Sequence, residues 1–337
     1  MVEKVFENPG FYFQWHFLEE CNLKCKHCYQ KGNVYKKADK QIIDQTLCQI
    51  EKALNAWDIT GRVSITGGEP LLDLKNLFYI LENLSKIEKI THLGILTNGT
   101  LLTPEITNKL CHFSKLKEIQ ISLDGASSQV HDRIRGIGNF EKAINGIKLI
   151  SKTDINSSVM FTVNKLNYTD IINVIELAEN LNVDAITLER YTPTHEKDPL
   201  ALNKELTQHI FEKIYEYKCE VKKNNRKIKI RTSRPLWNIV SDDCGGVCPV
   251  GFSCLTLMHD GKILPCRRLP IELGTIQNDG MFKVWYTSEV LNNLRKRDKI
   301  KKCSDCKRNH VCGGCRAAAF AVSHDYMGQD PLCWEQI

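Results

Sequence analysis

No apolar run in this chain approaches the roughly 20 residues of a membrane-spanning helix, so a membrane is not an expected partner. Residues 1–10 lack the basic-then-apolar pattern of a secretory signal, so secretion is not expected and a cytoplasmic location is. There is no internal repeat and no low-complexity tract, which sets aside repeat arrays and linkers. Charge of one sign is in small excess: 46 Lys and Arg against 40 Asp and Glu leave +6 over 337 residues. The dense basic stretches, 222–229 and 295–302, read as solvated helix faces or turns, so nucleic acid is not an expected partner.

Cysteine, by contrast, is abundant: there are fifteen. Without a signal segment they point to a reducing compartment, where clustered cysteines serve metals more often than disulfides. Eleven fall into two groups at opposite ends. The first is Cys21, Cys25 and Cys28, followed by Tyr29. A structural metal site closes its shell with four protein ligands. Three thiolates can instead hold three corners of a cubane iron–sulfur cluster and leave one iron open, which makes a reaction centre. The second group is Cys248, Cys254, Cys266, Cys303, Cys306, Cys312, Cys315 and Cys333. On spacing alone its C-x-x-C pairs suit zinc as well as iron. Cys48, Cys111 and Cys219 fall on expected helices and read as small apolar residues. Cys244, in a polar glycine-bearing segment, is a candidate hydrogen-atom donor; a plain loop cysteine or alternative ligand is the blander reading.

Short β-type runs at 13–18, 62–66, 91–97, 118–123, 158–163 and 185–190 alternate with helical periodicity at 41–57, 74–87, 104–111, 140–151, 169–181 and about 203–223. Six strand-then-helix units predict an α/β fold, a partial (β/α)6 TIM-like barrel with right-handed crossovers. The cysteine loop, Gly67-Gly68-Glu69-Pro70, Asn98-Gly99 and Asp124-Gly125 fall just after strands, where parallel barrels build chemistry. After about residue 235 helical periodicity fades while glycine, proline and cysteine rise, and such a stretch is expected to need metal to fold. The expected division is a barrel at 1–230 and a cysteine-rich domain at 231–337.

Cys21, Cys25, Cys28 and the following aromatic resemble the signature loop of the radical S-adenosylmethionine (SAM) enzymes. Further segments come in that family's order over residues 13–190. Thr66-Gly67-Gly68-Glu69-Pro70 is similar to the SAM amino-group motif. Leu96-Thr97-Asn98-Gly99 and Ile121-Ser122-Leu123-Asp124-Gly125 are similar to strand ends lining the SAM pocket, and His131-Asp132-Arg133-Ile134-Arg135-Gly136 to a further stretch. The resemblance implies that the open iron chelates the amino and carboxylate groups of SAM. Gly67 and Gly68 would admit the methionyl group, and Glu69 or nearby carbonyls would accept from its ammonium. Asn98 would line the pocket, Ser122 and Asp124 would bond ribose hydroxyls, Arg135 would meet the SAM carboxylate, and His27 and Tyr29 would border the adenine. It also implies the activity: reductive cleavage of SAM to a 5′-deoxyadenosyl radical that takes a hydrogen atom from substrate, with the protein positioning a cofactor that carries the chemistry.

The second cysteine group, with Gly261 between Cys254 and Cys266, is similar to the SPASM extension of such enzymes. That implies two auxiliary [4Fe–4S] clusters, hence three in all: Cys248, Cys254, Cys266 and Cys315 on the first, Cys303, Cys306, Cys312 and Cys333 on the second. Four ligands close each cluster and suit it to electron transfer. Two residues separate Cys312 from Cys315 where the common SPASM form has three, which leaves open the cluster that Cys315 serves. With Cys315-Arg-Ala-Ala-Ala-Phe and Asp330-Pro-Leu-Cys333-Trp, the shorter form resembles a subgroup of mycofactocin-type peptide maturases and alternative-haem or haem d1 synthesis enzymes. Arg267 stands where sulfatase-maturing relatives carry an acidic base. An arginine cannot be that base; it grips a substrate carboxylate or is a surface arginine near an anionic cluster. The expected substrate is a ribosomally made peptide, oxidised, crosslinked or decarboxylated. The alternative is oxidative decarboxylation or side-chain modification of a tetrapyrrole, and the rival of another class is a zinc-binding interaction or nucleic-acid protein. No peptide-recognition domain is expected ahead of the first strand, so a separate protein would present a peptide. A low-potential carrier such as flavodoxin or ferredoxin would supply electrons.

Overall fold

The computed structural model describes residues 10–30 and 36–335; residues 1–9, most of the segment read for a signal, lie outside the described residues. The strands in chain order are β1 (Phe11–Leu18), β2 (Gly61–Gly67), β3 (Ile90–Thr97), β4 (Leu116–Ser122), β5 (Asn156–Val163), β6 (Ala185–Arg190), β7 (Lys229–Arg231), β8 (Cys254–Met258), β9 (Lys262–Leu264) and β10 (Gly274–Thr275). All six expected strands are present within two residues of the sequence reading at either end. Two compact units form, each from separated stretches. The first takes Met1–Ser122, Glu141–Ser157 and Val250–Asn292; the second takes Leu123–Phe140, Ser158–Pro249 and Asn293–Ile337. This division follows proximity in space, whereas the one near residue 230 follows composition.

In the first unit the strand order is β10-β9-β8-β1-β2-β3-β4. β1 to β4 pair in parallel, as expected from the intervening helices. Helix Lys40–Trp57 begins where the Asp39 carboxylate accepts the Ile42 N–H, and ends at Asp58, whose left-handed backbone stops the turn. Its buried Ile43, Leu47, Ile50 and Leu54 lie on one face. On β1, alternation buries Phe11, Phe13, Trp15 and Phe17, and Phe11 packs on Trp57 and Trp285 at 4.6 and 4.9 Å between ring centroids. Each such burial contributes about 1.5–3 kcal/mol. β8 was not foreseen. It pairs in parallel with β1, from Tyr12 opposite Cys254 to His16 opposite Met258. All five of its residues are buried, so Cys254-Leu-Thr-Leu-Met258 shows no alternation to read.

In the second unit β5, from Ser158 on, pairs in parallel with β6, and β6 with β7. Helix Lys204–Lys223 opens on Asn203, whose side chain accepts the Leu206 N–H. Phe211 on that helix stacks on Trp237 at 3.8 Å and meets Trp334 edge-on at 5.6 Å. These aromatics anchor the cysteine-rich tail of the unit to its helical part.

Candidate active site

The three-cysteine loop leaves the end of β1 in the first unit. The Cys28 N–H donates to the Cys25 carbonyl at 3.1 Å, closing a turn, and the Leu23 N–H reaches Cys21 Sγ at 3.4 Å. Burial pushes the Cys21 thiol up to about 11; the Leu23 N–H offsets part of this, and Glu69, Cys25 and Cys28 raise it further. Three thiols in one short loop, with a carboxylate near enough to raise one of them, are costly as bare thiolates. A cationic cluster reverses that cost, because a coordinating thiol is deprotonated outright. The donor set therefore fits an iron–sulfur cluster with three protein ligands.

The Gly67-Gly68-Glu69 segment ties the ends of β1, β2 and β3 together. Gly67 has φ +149°, and a Cβ there would lie 2.1 Å from the Leu18 carbonyl oxygen. At Gly68 a Cβ would lie 2.0 Å from the Glu20 carbonyl oxygen. Only glycine allows this approach, and it admits the N–H of Glu69 to the Glu20 carbonyl at 2.8 Å. The Glu69 carboxylate is wholly buried and accepts from Leu71 N at 3.1 Å, Thr97 Oγ1 at 2.6 Å and Asn98 N at 2.7 Å. Asn98 Nδ2 in turn donates to Asn22 Oδ1 at 2.9 Å, holding the cysteine loop against the end of β3. Glu69 and Asn98 are thus scaffold for the loop, beyond any contact with SAM. Ser122 ends β4, half-buried. His27 is buried and Tyr29 is 42% exposed.

Arg267, from the turn after β9, is engaged by its own unit. Its Nη2 donates to Glu19 Oε1 at 2.6 Å and its guanidinium lies 5.3 Å from the Tyr29 ring centroid. Its Nε is buried and has no hydrogen-bond partner. His16 beside it is fully buried; burial, then Arg267 and His259, hold its imidazole well below the ordinary value, so it is neutral. His16 and Glu19 were missed in sequence reading because their partners are more than 240 residues away. Cys254 and Cys266 belong to this first unit, and Cys254 Sγ lies 3.8 Å from the Pro265 carbonyl.

In the second unit Asp124 and Arg135 meet each other. Helix Ser128–Arg135 brings Arg135 Nε to 2.5 Å from Asp124 Oδ2, while Asp124 Oδ1 accepts the Thr162 N–H at 2.9 Å. The pair is nearly excluded from solvent, so each offsets the other's charge. Asp124 is bound into the scaffold rather than left for ribose alone.

The same unit holds a pocket of about 390 Å³, counted out to its mouth, lined by Cys303, Cys306, Cys312 and Cys333. These are the four residues grouped from the sequence. Burial raises the thiol of Cys312 and pushes Cys333 up to about 11, where Asp330, Cys312 and Cys303 add to it. Gly313 and Gly314 both adopt left-handed backbone, at φ +66° and +61°, and turn the chain sharply between Cys312 in the pocket and Cys315 at the head of helix Arg316–Ser323. Asp330, 1% exposed, accepts from Cys315 N at 2.7 Å and Leu332 N at 3.1 Å and receives both terminal nitrogens of Arg190. Arg316 is buried, with Nη1 on the carbonyls of Tyr326 and Gly328, yet its Nε and Nη2 have no hydrogen-bond partner. Burial raises the Cys303 thiol and Arg316 offsets part of that rise; a buried guanidinium with donors to spare beside these thiols fits an anionic cluster held by four thiolates. Cys248, whose carbonyl accepts from Arg297, and Cys315 also belong to this unit. Cys244 does not line the pocket; it is buried, and burial raises its thiol against the pull of Lys218 and Thr232.

Comparison with known proteins gives the family. Residues 15–178 match the Radical SAM superfamily and residues 248–307 match SPASM, an iron–sulfur cluster-binding domain. The chain is a radical SAM enzyme with a SPASM domain, and its cofactors are [4Fe–4S] clusters and SAM. The iron–sulfur reading of the second cysteine group thus holds over the zinc alternative that spacing alone allowed. Among its relatives is an AdoMet-dependent heme synthase of Methanosarcina barkeri, 28% identical over 339 residues that cover 95% of each chain. Another is the mycofactocin maturase MftC of Mycolicibacterium smegmatis, 29% identical over 95% of this chain and 82% of its own. A solved structure of anSMEcpe with bound AdoMet and Cp18Cys peptide covers 96% of this chain and 94% of its own at TM-score 0.81, with 19% identity, and so shares the TIM-like radical SAM fold. No helix among the described residues is long and apolar enough to cross a membrane.

Proposed function

We propose that this chain oxidatively decarboxylates a carboxylate side chain of a tetrapyrrole, working in the cytoplasm with a low-potential electron carrier. The observation that carries the substrate is the end-to-end match, over 95% of both chains, to a heme synthase. This reverses the order of preference drawn from sequence. Cys21, Cys25 and Cys28 hold the SAM cluster in a barrel formed mainly by residues 1–230. Cys248, Cys254, Cys266 and Cys315 hold one auxiliary cluster and Cys303, Cys306, Cys312 and Cys333 the other, in a part formed mainly by 231–337. When bound, the SAM cluster and SAM supply the 5′-deoxyadenosyl radical that removes a hydrogen atom. The chain's own residues hold and orient: Gly67 and Gly68 open room for the methionyl group, and Glu69 with Asn98 steadies the loop. Ser122, His27 and Tyr29 border the nucleoside, and Asp124 and Arg135 hold each other in their own unit. Loss of one hydrogen atom and carbon dioxide leaves one electron to pass on, and a cluster closed by four thiolates suits that task.

The second reading is a ribosomally made peptide, presented by a separate recognition protein; the match to the mycofactocin maturase favours it. The test is anaerobic turnover with dithionite and SAM, offering either an iron tetrapyrrole bearing propionates or a peptide with a free carboxyl terminus. The reading expects about twelve irons per chain, 5′-deoxyadenosine, and a tetrapyrrole product lighter by carbon dioxide and two hydrogens. An unchanged tetrapyrrole beside a modified peptide would overturn the substrate. About four irons would remove the auxiliary clusters.

A further inference from the structure

Of the two densely basic stretches of this chain, the more highly charged runs beside a candidate cluster site. Residues 295–308 carry eight Lys or Arg against two Asp, a balance of +6 that equals the formal net charge of all 337 residues. The rest of the chain therefore sums to zero. The same segment contains Cys303 and Cys306, and its Lys302 and Arg308 line the four-thiol pocket. Lys296, Lys299, Lys301, Lys302 and Lys307 are exposed. Lys301 pairs with Asp325, and Arg308 with Asp242 and Glu335. Lys296, Lys299, Lys302 and Lys307 make no ion pair among the described residues. Four unpaired ammonium groups within one short segment, one of them lining the pocket, repel one another, an arrangement that a facing anionic surface relieves.

We propose that the rim formed by residues 295–308 is the docking surface for an acidic, one-electron carrier protein of the flavodoxin class. The inference rests on the reading of Cys303, Cys306, Cys312 and Cys333 as a cluster site and adds its partner. In each turnover the carrier takes the one electron left after a hydrogen atom and carbon dioxide have gone, its flavin being reduced by one electron as the substrate is oxidised. Charge of opposite sign steers such encounters and sets their rate and salt dependence. The segment offers no aromatic side chain on which bases would stack, which favours a protein over a nucleic acid.

The test uses the full reconstituted chain and a recombinant flavodoxin, with binding read from flavin fluorescence across a salt series. Wild-type affinity is expected to fall steeply with salt. Lys296→Gln/Lys299→Gln/Lys307→Gln is expected to lose about tenfold or more at low salt and to flatten the salt slope. Lys296→Arg/Lys299→Arg/Lys307→Arg is expected to bind as wild type, as is Lys222→Gln/Lys223→Gln/Lys227→Gln, which removes equal charge from the other basic stretch. Should Lys307→Gln disturb Cys306 and lower the iron content, the pair Lys296→Gln/Lys299→Gln carries the same test. Equal affinity of the neutralised variant and wild type overturns the proposal, as does an equal loss in the 222–227 control. Displacement of flavodoxin by a single-stranded oligonucleotide at lower concentration overturns it in favour of nucleic acid. Iron content and dithionite-driven 5′-deoxyadenosine, measured on the same samples, report separately on the cluster reading.

Discussion

Replacing Glu69 by glutamine keeps the shape of a wholly buried side chain and turns one of its oxygens into a donor. In the native protein Oε1 accepts from Leu71 N and Thr97 Oγ1, and Oε2 accepts from Asn98 N. If the amide oxygen of Glu69→Gln faces Asn98, its NH2 meets Thr97 Oγ1, which can turn to accept, and the Leu71 N–H, which cannot. In the opposite orientation the Asn98 N–H is stranded. One buried backbone donor therefore loses its acceptor either way, at about 1–3 kcal/mol. The surviving bonds pass from charge-assisted to neutral, for a further ~1 kcal/mol. The expected destabilisation is about 2–4 kcal/mol, a large share of the 5–15 kcal/mol of a folded domain. Urea unfolding of the anaerobic apoprotein reads it as a lower midpoint at unchanged slope. SAM affinity should fall in parallel, since Asn98 then loses part of its hold on Asn22 and the cysteine loop. A midpoint within about 0.5 kcal/mol of wild type, with SAM affinity lost, would refute the scaffold role and return Glu69 to the SAM ammonium alone.

Gly68→Ala, whose Cβ would sit 2.0 Å from a backbone oxygen, should cost about 1–3 kcal/mol and abolish SAM-dependent 5′-deoxyadenosine formation; normal turnover would show that the strand ends do not approach as described. Cys306→Ala should lower the iron count by about four per chain, whereas Cys244→Ala, away from the pocket, should leave it unchanged; iron analysis decides both. Arg316→Gln removes a buried cation beside Cys303 and should lower the midpoint potential of the cluster held there, read by a redox titration followed by electron paramagnetic resonance. Burial alone would raise the Asp198 carboxyl. The N–H groups of Thr194 and Leu200 and the hydroxyls of Tyr191 and Thr194 outweigh that and hold it below the usual range. Its contribution to stability is therefore present above the unfolded value near pH 4 and lost as pH falls through the lower folded value. Asp198→Asn should flatten that acid limb of the pH–stability curve, and an unchanged limb would count against the bonding.

Periodicity and turn chemistry made the six strands and their helices legible. Each strand is a short β-type run and each helix a periodic one of helical length, and both patterns are local. The two cysteine groups were legible for the same local reason: spacing along the chain is what a loop needs to bring thiols together. β8 was not legible, because its place beside β1 depends on pairing across some 240 residues and its residues are buried on both faces. Nor was the use of Asp124, Arg135 and Arg267. Sequence assigns each to SAM or to a substrate, and folding supplies each with a scaffold partner as well, since a charge taken from water must be compensated nearby. Arg190, Arg316 and Asp330 went unnoticed because nothing in their neighbours along the chain marks them; only the tail folding back brings Asp330 onto Arg190 and buries Arg316 beside the thiols. The sequence by itself thus determined the strand-and-helix order, the donor chemistry and the kind of cofactor, all of them short-range properties. Tertiary structure alone decided which charges are tied up in the scaffold and which, like the lysines of 295–308, remain exposed, because burial and partnership exist only once distant segments meet.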